Sequence, residues 1–274
     1  MVLEGSCRLV GPADAEPVGL GPGDLVFLPH GSGLTLTDAD GTAVSEPACA
    51  PGDPDLSAAF TSDHVDRTGS DGPSTTLLCG AYRLDPARTH PLLRSLPELI
   101  HLPARGDRRP ELDAAVDLLA REVRTPRLGT DAAVPALLDL LLLYVLRTWF
   151  AGEAARGSTQ GWSAALNDGP VTAALHALHR DPAAPWTVAG LAAEAGLSRA
   201  PFARRFTALV GQPPLGYLTW WRMTTAARLL QTGDDPLRTI AAQVGYASEF
   251  AFAHAFKRAH GTSPGAYRRA ALAG

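Results

Sequence analysis

One stretch of this 274-residue chain repeats itself, and the repeat restricts the fold more than any other feature. Leu191, Ala192, Ala195 and Gly196 recur 49 positions later as Ile240, Ala241, Val244 and Gly245. Beyond that point the offset is 50, with one residue inserted near Ala247. Ser198, Phe202, Phe206, Gly211, Pro214 and Tyr217 recur as Ser248, Phe252, Phe256, Gly261, Pro264 and Tyr267. Each copy reads as a helix of small and aliphatic residues, a short turn and a second helix. Gly196 and Gly245 suit a left-handed helix terminus, and Ser198 and Ser248 suit the N-cap of the helix that follows. The pairs Phe202/Phe206 and Phe252/Phe256 are four residues apart, so both rings of a pair lie on one helix face and can pack on the preceding helix.

The opposite faces are left for a partner. In the first copy that face carries Arg199, Ala200, Ala203 and Arg204 after the capping Ser198; in the second it carries Glu249, Phe250, Ala253, His254 and Lys257 after Ser248. A helix so equipped can enter a DNA major groove. Glu249 has two readings: a carboxylate that meets the positive helix terminus, or an acceptor for cytosine N4. Between the copies, 215–231 reads as one longer helix with Leu218, Trp221, Ala226, Leu229 and Leu230 on its buried side. It would hold the two reading helices at fixed separation.

Charge supports a polyanionic partner for this part of the chain only. The net charge is −4, yet residues 1–169 hold 13 Lys and Arg against 23 Asp and Glu, while residues 170–274 hold 11 against 5. The acidic part, at −10, would repel DNA; the basic part, at +6, would attract it. The three cysteines, Cys7, Cys49 and Cys79, form no CxxC pair, which argues against a disulfide scaffold and for a reducing compartment, the cytoplasm. The opening MVLEGSCRLVG has no signal-peptide pattern. The apolar run 137–145 is flanked or interrupted by Asp131, Asp139 and Arg147, and is expected to be a buried helix and not a membrane span.

Over 171–269 the chain resembles the AraC/XylS transcription regulators, through LAAEAGLSRAPFARRF, RMTTAARLL and IAAQVGYASEFAFAHAFKRAHGTSPGAYRR. The resemblance implies base-edge contacts from Ala200, Ala203 and Arg204 in the first unit and from Glu249, Phe250 and His254 in the second. Ala200 and Ala203 are too short for bidentate reading, so the first unit would lean on Arg199 and Arg204, with apolar side chains meeting thymine methyl groups.

The first 84 residues alternate short β-favouring runs with Gly, Pro and Asp turn signals, as in a small barrel or sandwich. Leu112, Val116, Leu119 and Val123 then recur at helical spacing, and a second helical run covers 131–150. GPGDLVFLPHGSG resembles the second motif of cupin barrels, with Gly23, Pro29 and Gly31 in register, and the cupin-type sensor domains of some AraC-family regulators are similar. Leu34 stands where metal-binding cupins carry a His, and His30 beside it reads as a solvated loop residue, so no metal and no cofactor is expected. Cys7 and Cys79 fall in apolar runs and read as small packed side chains, with a redox sensor as the alternative. The helix pair after residue 110 reads either as core or as a dimer contact.

The expected architecture is α+β and multidomain. Residues 1–150 form a cupin-like barrel with two helices for sensing and dimerisation, 151–169 a linker whose Gly-rich, polar stretch is 151–161, and 170–274 an all-α domain with two helix-turn-helix units. The expected function is sequence-specific DNA binding by a transcription regulator that is no enzyme. Its partners would be double-stranded promoter DNA, a small-molecule or redox signal, a second copy of the chain, RNA polymerase if it activates, and no membrane. A cupin-type barrel enzyme and a helical adaptor that binds protein are the alternatives. A barrel oxygenase would need a metal-binding facial triad, and residues 1–110 are read as holding no HxH or HxD cluster that could begin one.

Overall fold

The computed structural model of the chain describes residues 1–10, 16–31, 35–37, 75–82, 90–104 and 109–272. It divides into two compact units, Met1–Arg83 with Leu96–Arg156, and Leu84–Ser95 with Gly157–Gly274.

Unit 1 contains strands β1 (Val2–Glu4), β2 (Cys7–Val10), β3 (Val18–Leu20), β4 (Leu25–Phe27), β5 (Thr35–Thr37), β6 (Thr76–Leu77) and β7 (Ile100–Leu102). They pair antiparallel in three small sheets, β1-β6, β3-β2-β5 and β4-β7. Alternation places Cys7 and Leu9 of β2 inward with Val2 and Leu20 and leaves Arg8 outside. The described strands are two to four residues long and lie in three separate sheets, so no closed barrel is shown among the described residues. β3 and β7 escape a sequence reading: V-G-L and I-H-L are too short to show a period of two. Leu34 and Cys49 lie outside the described residues.

The GPGD turn is a clamp. Gly23 has φ +87°, and a Cβ there would come 2.7 Å from the Ala104 Cβ. The Asp24 carboxylate accepts the backbone N–H groups of Gly21 (2.9 Å) and Ala104 (2.7 Å). Buried Arg109 donates to the carbonyls of Leu102 (2.8 Å) and Gly23, and its Nε pairs with Asp113 at 3.1 Å.

Two helices complete unit 1, α2 (Pro110–Arg124) after the short α1 (Pro91–Arg94), and then α3 (Thr130–Ala155). α2 buries Leu112, Val116 and Leu119. α3 corrects the expectation of a buried helix: only Val134, Leu138 and Val145 are buried, while Leu140 and Leu143 are 36% and 43% exposed. Its apolar residues surround the whole helix, whereas one stripe suffices to meet α2. Length and composition alone would let α3 cross a bilayer.

The stretch read as linker is largely helical. α3 runs on through Ala155, since Ala-rich 151–155 favours continuation, and α4 (Gly161–Asn167) buries Trp162, Ser163 and Ala165 in unit 2. α1 also packs in unit 2, together with α4, α5 (Gly169–Arg180), α6 (Val188–Glu194), α7 (Arg199–Val210), α8 (Pro214–Thr232), α9 (Leu237–Gln243), α10 (Glu249–His260) and α11 (Pro264–Leu272).

Candidate nucleic-acid interface

The helix bounds of unit 2 reproduce the sequence repeat: α6 shifted by 49 residues gives α9, and α7 shifted by 50 gives α10. Burial matches as well. Leu191, Phe202 and Phe206 are fully buried, as are Ile240, Phe252 and Phe256. Gly196 (φ +64°) and Gly245 (φ +78°) end α6 and α9 in the left-handed region. Ser248 Oγ caps α10 by accepting from the Ala251 N–H at 3.1 Å, whereas Ser198 holds the N-cap position of α7 without a side-chain cap bond.

α8 unites the two pairs. Tyr217 and Leu218, near its start, are buried with the first; Met223, Ala226, Ala227 and Leu230 share a core with Ile240, Val244, Phe252 and Phe256 of the second. Trp221 and Leu229 are half-buried, less enclosed than their spacing suggests. Arg222, charged within the apolar WWRM run, donates to the carbonyls of Pro182 (2.7 Å) and Ala184 (2.9 Å) and lies 5.9 Å from the centre of the Tyr246 ring. One guanidinium thereby joins the α5–α6 loop to the turn of the second pair.

The residues expected to meet DNA fall on the two outward faces. On α7, Ser198, Arg199, Ala200 and Arg204 are exposed and Ala203 is half-buried. On α10, Ser248, Glu249, His254 and Lys257 are exposed, Ala253 is half-buried and Phe250 is 82% exposed. Glu249 opens α10, where its carboxylate meets the positive helix end.

The chain matches the family profile described as Cupin over residues 1–151 and that described as Helix-turn-helix domain over residues 191–270. An AraC-like transcription regulator of Streptomyces antibioticus is 37% identical over 268 residues, 98% of this chain and 85% of the relative. The HTH-type transcriptional regulator MtrA of Neisseria gonorrhoeae is 30% identical over 273 residues, 98% and 85%. The chain belongs to the AraC-like transcription regulators.

This AraC-like regulator is thus a DNA-binding transcription regulator with an N-terminal cupin domain. Among solved structures, the DNA-binding domain of AdpA in complex with a target DNA is 38% identical, covering 39% of this chain and 95% of that one at a TM-score of 0.37.

The sequence reading did not single out Arg205, Asp168 or Arg222. Arg205, next to Arg204, is held by Asp168 through Nε (2.6 Å) and Nη2 (2.5 Å), and Asp168 also caps α5 at the Val171 N–H. Of the adjacent arginines, Arg205 is thereby committed to the scaffold. A cation inside an apolar run is the sequence signal for Arg222; the Arg205–Asp168 pair, 37 residues apart, carries none.

Unit 1 holds a cavity of about 230 Å³ lined mainly by apolar side chains, among them Leu9, Leu25, Phe27, Val116 and Leu138. Tyr82 is at its wall and donates to the Leu138 carbonyl at 2.5 Å; burial, with Asp139 nearby, pushes its phenol up to about 12, so it stays a donor. Cys7 is buried, and burial pushes its thiol up, the opposite of an activated thiolate. Cys79 departs from the packed reading: it is exposed at the cavity. His30, exposed, is within hydrogen-bond distance of the Leu96 carbonyl, its Nε2 at 2.9 Å. Among the described residues no group of three His, Cys, Asp or Glu could hold a metal. One HxD triplet, His64-Val65-Asp66, corrects the reading that residues 1–110 hold none; it lies outside the described residues.

Proposed function

We propose that this regulator reads an asymmetric site through α7 and α10 together, each entering one of two successive major grooves on one face of the duplex, roughly 34 Å apart. The observation that carries this reading is the matched pair of outward faces on two helices of equal length joined by α8. Arg204 has the fork for guanine O6 and N7, with Arg199 beside it, and Ala200, Ala203 and Phe250 offer apolar contact to thymine methyls. Ser198, Ser248, Glu249, Ala253, His254 and Lys257 complete the two contact surfaces.

Arg204→Ala should weaken binding to the selected site by about 1–3 kcal/mol and relax preference at one base position. Site selection followed by titration of cognate and random duplexes checks this. An equal loss on both would assign Arg204 to a phosphate instead.

Residues 1–151 act as the sensor, with strands belonging to a cupin barrel, and the cavity of unit 1 takes a small, largely apolar effector. A redox signal would use the exposed Cys79 and not the buried Cys7. The chain works on cytoplasmic DNA, catalyses no reaction, and meets RNA polymerase where it activates.

The exposed apolar side of α3 is the dimer face, related by a two-fold axis to the same face of a second copy. Leu140→Glu with Leu143→Glu should yield monomers by light scattering and remove the tighter binding to two sites over one. Wild-type protein that is monomeric and gains nothing from a double site would end this assignment.

A further inference from the structure

The segment 90–95 lies inside the stretch matched by the Cupin profile, yet it packs in unit 2 with the helix-turn-helix pairs. His90 is its anchor. The imidazole meets Trp162 of α4 (ring centres 5.0 Å apart) and Trp220 of α8 (4.9 Å), both edge-on. Its Nε2 is 3.2 Å from the Tyr217 hydroxyl, and that hydroxyl is 2.7 Å from Nε2 of His179 on α5.

These contacts assign every proton. Leu92 N–H donates to His90 Nδ1 at 3.0 Å, so that nitrogen carries no hydrogen. Neutral His90 then has its hydrogen on Nε2 and donates it to Tyr217, whose hydroxyl donates in turn to His179 Nε2. A proton added to His90 would have to sit on Nδ1, facing the Leu92 N–H with no acceptor. The docked position therefore admits the neutral ring and rejects the charged one.

We propose that His90 is a proton-operated latch: neutral, it fastens segment 90–95 to Tyr217 of α8, the helix that joins the two helix-turn-helix pairs, and protonated it releases the segment. Resting on the reading of residues 1–151 as the sensor, this makes 90–95 the physical link through which the sensor's state reaches the DNA-reading unit. The titratable groups facing His90 are Tyr217 and His179, with His176 acting on His179. Burial, then His179, pushes His90 down to about 4; burial, then His176, lowers His179. Above the ordinary histidine value near 6.5 the ring is neutral docked or free, and docking involves no proton. Below it the free segment takes up a proton that the docked one refuses down to about 4, so docking weakens as the pH falls through that window.

Hydrogen–deuterium exchange of the full chain, with labelling times scaled for the intrinsic pH dependence, reads the segment without DNA. Between pH 7.5 and 5.5 the opening of 90–95 should rise about tenfold in the wild type. His90→Phe keeps a ring between the two tryptophans and should abolish the pH response, while His176→Ala, at an exposed position, should retain it. Tyr217→Phe should loosen the segment at both pH values. Equal protection of the wild type at both pH values, or an unchanged response in His90→Phe, would overturn the latch. The sensor reading fails separately, if DNA affinity at pH 7.5 is the same for the full chain whether 90–95 is latched or freed by Tyr217→Phe.

Discussion

Replacing Gly245 by alanine should destabilise the DNA-reading unit by about 2–5 kcal/mol, and the equivalent change at Gly196 by only about 1–2 kcal/mol. Both glycines hold a left-handed conformation, with φ +78° and +64°, so both variants incur the backbone strain. Only Gly245 is also crowded. A Cβ there would come 2.8 Å from the Ala183 carbonyl oxygen and 2.6 Å from Arg222 Nη2, whereas nothing lies within 4 Å at Gly196. Arg222 is not free to yield, because its guanidinium bonds the Pro182 and Ala184 carbonyls. Urea unfolding followed by tryptophan emission measures this directly, since Trp162, Trp186, Trp220 and Trp221 are all in unit 2. Equal midpoint shifts for the two variants would mean that the close approach of Arg222 contributes nothing.

Phe256→Ala should cost about 3–5 kcal/mol, the usual loss for emptying a fully buried aromatic site. The Phe256 ring lies 5.7 Å from Phe252, 4.3 Å from His260 and 5.3 Å from Tyr267, so its removal opens the centre of the second pair. The first pair has its own aromatic centre in Phe202, Phe206 and Tyr217. The footprint on a cognate duplex should therefore shrink from two grooves to the one read by α7, with affinity falling accordingly. Loss of both halves together, seen as one cooperative transition and no residual footprint, would show that α8 binds the pairs into a single folding unit.

The two helix pairs were legible because their signals are local. A left-handed glycine, a capping serine and phenylalanines four apart all act within about a turn or two of helix, and α6, α7, α9 and α10 lie where those signals put them. The strands were less legible: β3 and β7 are three residues each, and β7 pairs with β4 some 75 positions away. The stretch 151–169, expected as a linker, is helical over 151–155 and 161–167. Its small residues extend α3, and Trp162 finds a buried position that a single sequence does not announce.

What the sequence determined by itself is the repeated helix pair, its left-handed glycines, its outward faces and the basic charge of the part that carries them, for each follows from residue type and short spacing. Only the tertiary structure decided which of those side chains are taken up by the scaffold. Arg205 closes on Asp168 while neighbouring Arg204 stays exposed, and Arg222 crosses to the 182–184 carbonyls beside Gly245. His90 meets Tyr217, 127 positions further along the chain. Such partners are chosen when distant elements pack and bury one another's polar groups, and the free energy of that choice depends on shape and desolvation, to which no spacing along the chain corresponds.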